Sequence, residues 1–142
     1  MTIRLQDNVP TDVITAPQTV TTGWVDCGEE IDVRDFEQLA VFCNVDINAA
    51  ANFRIRFVGL HTSGDADEYA LPILDVQAGV VNVDQEYFEL TDDADQKVIL
   101  YLSSLDLIPY IKVQISAGTA GATAGQMDEL KVIGQSKRSG GK

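Results

Sequence analysis

The stretch EQLAVFCNVDINAAANFRIRFVGL, residues 37–60, decides the fold. In its first half Leu39, Val41, Cys43, Val45 and Ile47 fall on one face. In its second half Phe53, Ile55 and Phe57 do the same, with Arg54 and Arg56 opposite. Side chains of an extended chain alternate between faces, so this period of two marks strands of a sheet with one buried side. The connection at 48–52 is short enough for a hairpin turn between two long strands.

Working outward, the same reading gives strands at 19–27, 69–76, 97–104, 110–117 and 126–134. Residues 79–83 and 86–90 read as two short strands or one bent strand, and 31–36 as a short connecting piece. Pro72 sits inside the 69–76 run, which implies an edge position or a bulge. No stretch carries the i, i+3, i+4, i+7 apolar pattern of a helix. The sum is an all-β, antiparallel sandwich of about eight strands, and two such sheets suit a jelly roll. The chain length of 142 residues fits one domain. Residues 1–18, with Pro10 and Pro17, read as an extended N-terminal arm that packs on its own domain or reaches a neighbouring molecule. The sandwich covers 19–134, and residues 135–142 form a flexible basic tail.

Ten basic residues against 22 acidic ones give a formal charge of −12. Such a surface repels phosphates, which argues against nucleic acid and anionic membranes as partners. The acidity keeps an abundant protein in solution, or attracts a basic partner or divalent cations. The first 25 residues lack a basic start followed by an apolar core, and apolar runs stay far below the ~20 residues that span a bilayer. Synthesis in a cytoplasm is the expectation. In a reducing compartment Cys27 and Cys43 read as two small buried hydrophobes, and a disulfide between them requires neighbouring strands. Neither lies in a Cys-x-x-Cys pair, so zinc is not expected.

Candidate chemistry is sparse. His61, the single histidine, has no nucleophile and orienting acid placed around it by any motif. Asp92, Asp93 and Asp95 cluster carboxylates as calcium prefers, but the spacing is not that of an EF-hand and a solvated turn is the plainer reading. The glycines of 118–125 lack the Gly-Lys-Ser/Thr ending of a phosphate loop. Trp24 reads as a core or sheet-edge anchor, and Tyr69, Tyr87, Tyr101 and Tyr110 as packing residues that could otherwise serve a sugar platform. No pair of carboxylates stands out for glycoside hydrolysis. No catalytic, cofactor-binding or metal-binding residue is assigned, no cofactor is called for, and no enzymatic activity is expected.

The run Trp24-x-Asp26-x-Gly28-x-x-Ile31-Asp32-Val33-x-x-Phe36-x-x-Leu39-x-Val41-Phe42 resembles the β-sandwich head decoration (auxiliary or cement) proteins of tailed bacteriophages. The resemblance is one of pattern, covers roughly residues 19–117, and carries no catalytic motif. It implies a jelly-roll domain on the outside of an assembled capsid. The partners it implies are the major capsid protein and further copies of the chain, with a homotrimer favoured. The location it implies is the virion surface after synthesis in the host cytoplasm. Extended arms that add to a neighbour and many copies on a symmetric shell would make weak contacts collectively strong. The alternative is a carbohydrate- or ligand-binding sandwich module, such as a tail or receptor-binding accessory protein.

Overall fold

The structure, a computed structural model, describes residues 2–47, 52–77, 80–84, 86–90, 96–103, 105, 108–118 and 124–137. The Asp92–Asp95 turn, residues 119–123 of the small-residue stretch and residues 138–142 of the tail lie outside them.

The arm holds β1 (Thr2–Arg4), β2 (Thr11–Asp12) and β3 (Gln18–Thr19). β4 (Val25–Asp26) and β5 (Glu30–Asp32) lead into β6 (Phe36–Asp46) and β7 (Phe53–Leu60), the two long strands of the opening stretch. Then come β8 (Tyr69–Ala70), β9 (Ile73–Gln77), β10 (Val80–Asp84) and β11 (Phe88–Leu90). β12 (Gln96–Leu102), β13 (Tyr110–Ser116) and β14 (Gln126–Ser136) complete the chain. They form two sheets. Sheet A has the order β1-β5-β13-β7-β11, with β4 also on β13 and β8 also on β7. Sheet B has the order β10-β9-β12-β6-β14-β2, with β3 also on β14. Every strand pair is antiparallel except β1 with β5.

The expected β-sandwich is therefore present, but its central stretch is not a hairpin. β6 belongs to sheet B and β7 to sheet A. The chain therefore passes from one sheet to the other between Asp46 and Phe53, and residues 48–51 of the expected turn lie outside the described residues. The alternation that predicted two half-buried strands is satisfied equally well by strands lying face to face as by strands lying side by side. Val41, Cys43 and Val45 point inward from one sheet, and Phe53, Ile55 and Phe57 from the other; all are 3% exposed or less. Leu100, Leu102, Leu130 and Val132 join the first group, and Ile31, Ile111, Val113 and Ile115 the second. Pro72 marks another crossing: β8 lies in sheet A and β9 in sheet B. The run at 79–90 is likewise two strands, one in each sheet.

The arm packs on its own domain and contributes edge strands to both sheets. β1 lines the edge of sheet A beside β5, whereas β2 and β3 line β14 in sheet B. Val13 and Val20 are buried, and Ile3, Leu5 and Ile14 pack against the core. The backbone N–H of Val13 donates to Leu130 O at 2.8 Å, and that of Asn8 to Gly134 O at 2.9 Å. Gly28 fixes the arm's approach. Its φ of 85° is left-handed, and a Cβ there would stand 2.5 Å from Val13 O. At the other end β14 runs on to Ser136, and the N–H of Lys137 donates to Asp35 O at 3.0 Å.

Candidate interaction faces

A two-sheet sandwich has two outer faces, and here the register assigns the described side chains of the central strands to them. On sheet A, Arg54 sits opposite Glu89 on β11 and Ser116 on β13. In the next row Arg56 sits opposite Gln114, which sits opposite Asp26 on β4. In the third, Val58 lies between Ala70 and Lys112. Directly opposed side chains on neighbouring strands are close enough to interact, so the pairing dictates the contacts. Arg54 Nε donates to Glu89 Oε2 at 2.5 Å, and Asn52 Nδ2 donates to the same oxygen at 3.2 Å. Arg56 Nε donates to Gln114 Oε1 at 2.8 Å. Gln114 Nε2 in turn donates to Asp26 Oδ1 at 2.9 Å and Glu68 Oε2 at 3.1 Å. Lys112 Nζ lies 3.4 Å from Asp26 Oδ2 and 3.5 Å from Glu68 Oε2.

Aromatic rings complete this lattice. The Arg56 guanidinium lies 4.4 Å from the centre of the Trp24 ring, and that of Arg54 lies 4.7 Å from the Tyr87 ring. Trp24 and Tyr87 are themselves 6.0 Å apart. Such stacking is worth ~0.5–2 kcal/mol per contact, depending on how dry the site is. The charges respond accordingly. The hydrogen bond from Arg54 holds the Glu89 carboxyl below its usual value, and Glu89 raises Arg54 in return. Burial pulls Arg56 down against the opposing charges of Glu68 and Glu86. Burial also works against the charge on Lys112, but Asp26 and Glu68 outweigh it and raise its pKa. Each charged or amide side chain of the lattice has a partner within the fold.

Beside the lattice, Glu30 ties three segments together and is 7% exposed. Its Oε2 accepts from Thr2 Oγ1 at 2.9 Å and Ser63 Oγ at 2.6 Å, and its Oε1 accepts from the Gly64 N–H at 2.8 Å. Burial opposes the charge on Glu30, yet these three donors and the Lys112 charge hold its pKa below the usual value. At the next corner Arg34 pairs with Asp32 at 2.6 Å and lies 5.3 Å from the Tyr110 ring.

The outer face of sheet B is built differently. Across β12, β6 and β14 the rows are Lys97–Asn44–Glu129, then Ile99–Phe42–Lys131, then Tyr101–Ala40–Ile133. Leu74 on β9 sits beside Tyr101. A bulge at Asp128 sets this register. The polar row Gln38–Gln135 closes the far end. Ile99 and Tyr101 are 42% and 43% exposed. A depression of about 300 Å³ opens between Phe42, Asn44, Lys97, Ile99, Glu129 and Lys131. Among the described residues neither Lys97 nor Glu129 has an ion-pair partner, and Lys131 reaches Asp12 only at 4.0 Å. The result is a connected apolar area on an open sheet face, rimmed by polar residues.

The remaining candidates are quickly placed. Cys27 and Cys43 are free and buried in the core. Burial pushes the Cys27 thiol up to about 12 and raises that of Cys43 as well, so both stay protonated and unreactive at neutral pH. His61 lies in an exposed loop, stacked on Tyr69 at 5.2 Å between ring centres. The described residues hold no group of three or more His, Cys, Asp or Glu side chains placed to bind a metal. No helix among them is long and apolar enough to cross a membrane. The lattice on sheet A escaped sequence reading because it joins residues up to 88 positions apart, such as Gln114 and Asp26. The signal that pointed to it was the exposed-face placement of Arg54 and Arg56 opposite Phe53, Ile55 and Phe57.

No protein-family model matches the chain, and a comparison with curated proteins finds no match. Among solved structures the chain is similar to the SPBc2 prophage-derived protein YomS, with a TM-score of 0.50 at 11% sequence identity. The match covers 92% of this chain and 99% of that one. At this identity the two share a fold, a β-sandwich spanning nearly the whole of both chains.

Proposed function

We propose that the chain is a structural protein of a tailed-phage virion that binds and stabilises the outer surface of the capsid. The observation that carries the reading is the end-to-end fold match to a protein of prophage origin. The decoration-protein pattern at Trp24–Phe42 points the same way. The fold's design suits the role. The arm and the start of the tail, Ser136 and Lys137, are tied back onto the sandwich, and the outer face of sheet A is closed by internal ion pairs. Such a domain presents a preformed surface and loses little entropy on docking. The partner is the major capsid protein, and the role involves no turnover of substrate.

The sugar-binding alternative gains no support from the aromatic residues of sheet A. Trp24 and Tyr87 each have one ring face covered by a guanidinium, that of Arg56 and Arg54 respectively.

The test is co-sedimentation of the purified chain with capsids of the phage whose genome encodes it, together with its detection in purified particles. Saturable binding to capsids at a fixed number of copies per shell is expected. Absence from virions and no binding to shells would overturn the reading.

A further inference from the structure

We infer that the outer face of sheet B is a self-association surface, on which two copies of the chain pack sheet to sheet about a two-fold axis running along β6. The inference goes beyond the virion reading and does not rest on it.

Folding leaves this face without a partner layer among the described residues. Leu74, Ile99, Tyr101, Phe42, Ala40 and Ile133 make a connected apolar area on four adjacent strands. The molecule has a formal charge of −12, so most of its surface repels a second copy. This face carries little of that excess. Its described charges on β6, β12 and β14 are Lys97 and Lys131 against Glu129 and Asp46, with Asp12 at the β2 edge beside Lys131.

The occupant follows from how the charges are placed. Lys97 and Glu129 stand in the same row, one strand to either side of β6, with neutral Asn44 between them. A two-fold axis parallel to β6, lying midway between two facing sheets, sets β6 over β6. It then sets β12 of each copy over β14 of the other. Lys97 of one copy comes opposite Glu129 of the other, and the symmetry makes the pair twice. Phe42 faces Phe42 and Ala40 faces Ala40 on the axis. Tyr101 comes over Ile133, and Ile99 over the aliphatic stem of Lys131. Two-fold interfaces are self-complementary in this way, with residue i meeting j and j meeting i. Face-to-face sheets pack at ~10 Å with strands nearly aligned, which is the geometry this axis produces. The polar rows Lys97–Asn44–Glu129 and Gln38–Gln135 then form the rim around an apolar centre. The depression beside Phe42 gives room for a side chain from the facing sheet. The assembly is a dimer, in place of the trimer implied by the decoration-protein resemblance.

The experiment is native mass by light scattering over a concentration series, on the full chain and three variants. The wild-type chain should run at twice its 15.4 kDa. Lys97→Glu and Glu129→Lys each set like charges opposite one another twice per dimer, and each should raise the dissociation constant about tenfold to hundredfold. The double swap restores opposite charges and should return to within about threefold of wild type. Circular dichroism of each variant checks that the fold is intact, as expected for two exposed positions. A wild-type chain that stays monomeric into the millimolar range overturns the inference, as does one at three times the chain mass. So does a dimer that both single swaps leave unchanged, or a double swap no better than the singles. Capsid co-sedimentation reads a separate property, so failure of the dimer and failure of the virion reading are told apart.

Discussion

The two outer faces of this sandwich obey the same alternation and end in opposite states. On sheet A the outward positions of β7 and β13 include Arg54, Arg56, Lys112 and Gln114, and each of these finds a partner in the same chain. On sheet B the outward positions of β12 and β6 include Ile99, Tyr101 and Phe42, and the flanking Lys97 and Glu129 have no ion-pair partner among the described residues. One face is completed by folding, whereas the other offers groups that folding leaves unused. Burial of a sheet's inner side says nothing about which of these its outer side will be. That depends on what the neighbouring strands set opposite each residue.

The comparison breaks most visibly at Arg56. Its guanidinium both donates to Gln114 and lies against Trp24, and Gln114 is 4% exposed. Arg56→Ala leaves the Gln114 carbonyl oxygen without its donor in a dry site and uncovers the indole. We expect a loss of about 2–3 kcal/mol of unfolding free energy, measured by urea denaturation, with the native mass unchanged. A loss below ~0.5 kcal/mol would mean that the lattice decorates sheet A without supporting it.

Next in size is Glu30, which belongs to the same completed side. Glu30→Ala removes the acceptor of Thr2, Ser63 and the Gly64 amide at once, and should cost about 1–2 kcal/mol. The sharper readout is hydrogen exchange. The Gly64 amide should exchange faster in the variant, while amides in the core strands β6 and β13 slow or quicken only with global stability.

The pH dependence follows from the same carboxylates. Glu30, Asp32 and Glu89 all have folded pKa values below the usual range. The unfolded chain therefore binds protons more readily than the folded one, and stability rises with pH through this window. The contribution is complete above the ordinary carboxylate values of about 4, and is lost as pH falls through the lowered folded values. Melting temperature should thus hold level near neutral pH and drop as pH falls below about 4. In Glu89→Gln the drop should be shallower.

The difference between the faces also explains what could be read in advance. The alternation at 37–60 showed two half-buried strands, and both exist with the expected residues inward. It could not show that β6 and β7 lie in different sheets, because the period of two is the same for a strand's lateral and facing neighbours. Pro72 implied an edge position or a bulge within one strand at 69–76; instead the chain crosses between sheets there, with β8 in sheet A and β9 in sheet B. The lattice on sheet A was not legible, since Asp26, Glu68, Glu89 and Gln114 meet only through tertiary register. On sheet B, Ile99 and Tyr101 sit in a run, KVILYL at 97–102, too uniformly apolar for period alone to tell outward from inward. Val98, Leu100 and Leu102 turn inward, and the pairing with β6 makes that choice.

Ile99 is the place to set the two faces directly against each other, and it carries the smallest expected change in stability. Its side chain is 42% exposed and packs on no core residue of its own sheet's inner side. Ile99→Asp removes apolar area that folding did not bury, so monomer unfolding free energy should move by no more than ~0.5 kcal/mol. The same change places a carboxylate at the centre of the apolar rows, where a second copy would have to desolvate it. The native mass should therefore fall from two chains to one while the melting curve, measured on dilute monomer, stays in place. A stability loss as large as that of Arg56→Ala, with the mass unaltered, would show that the outer face of sheet B is finished within the monomer as sheet A's is. The contrast would then lie only in the kind of contact that finishes each face.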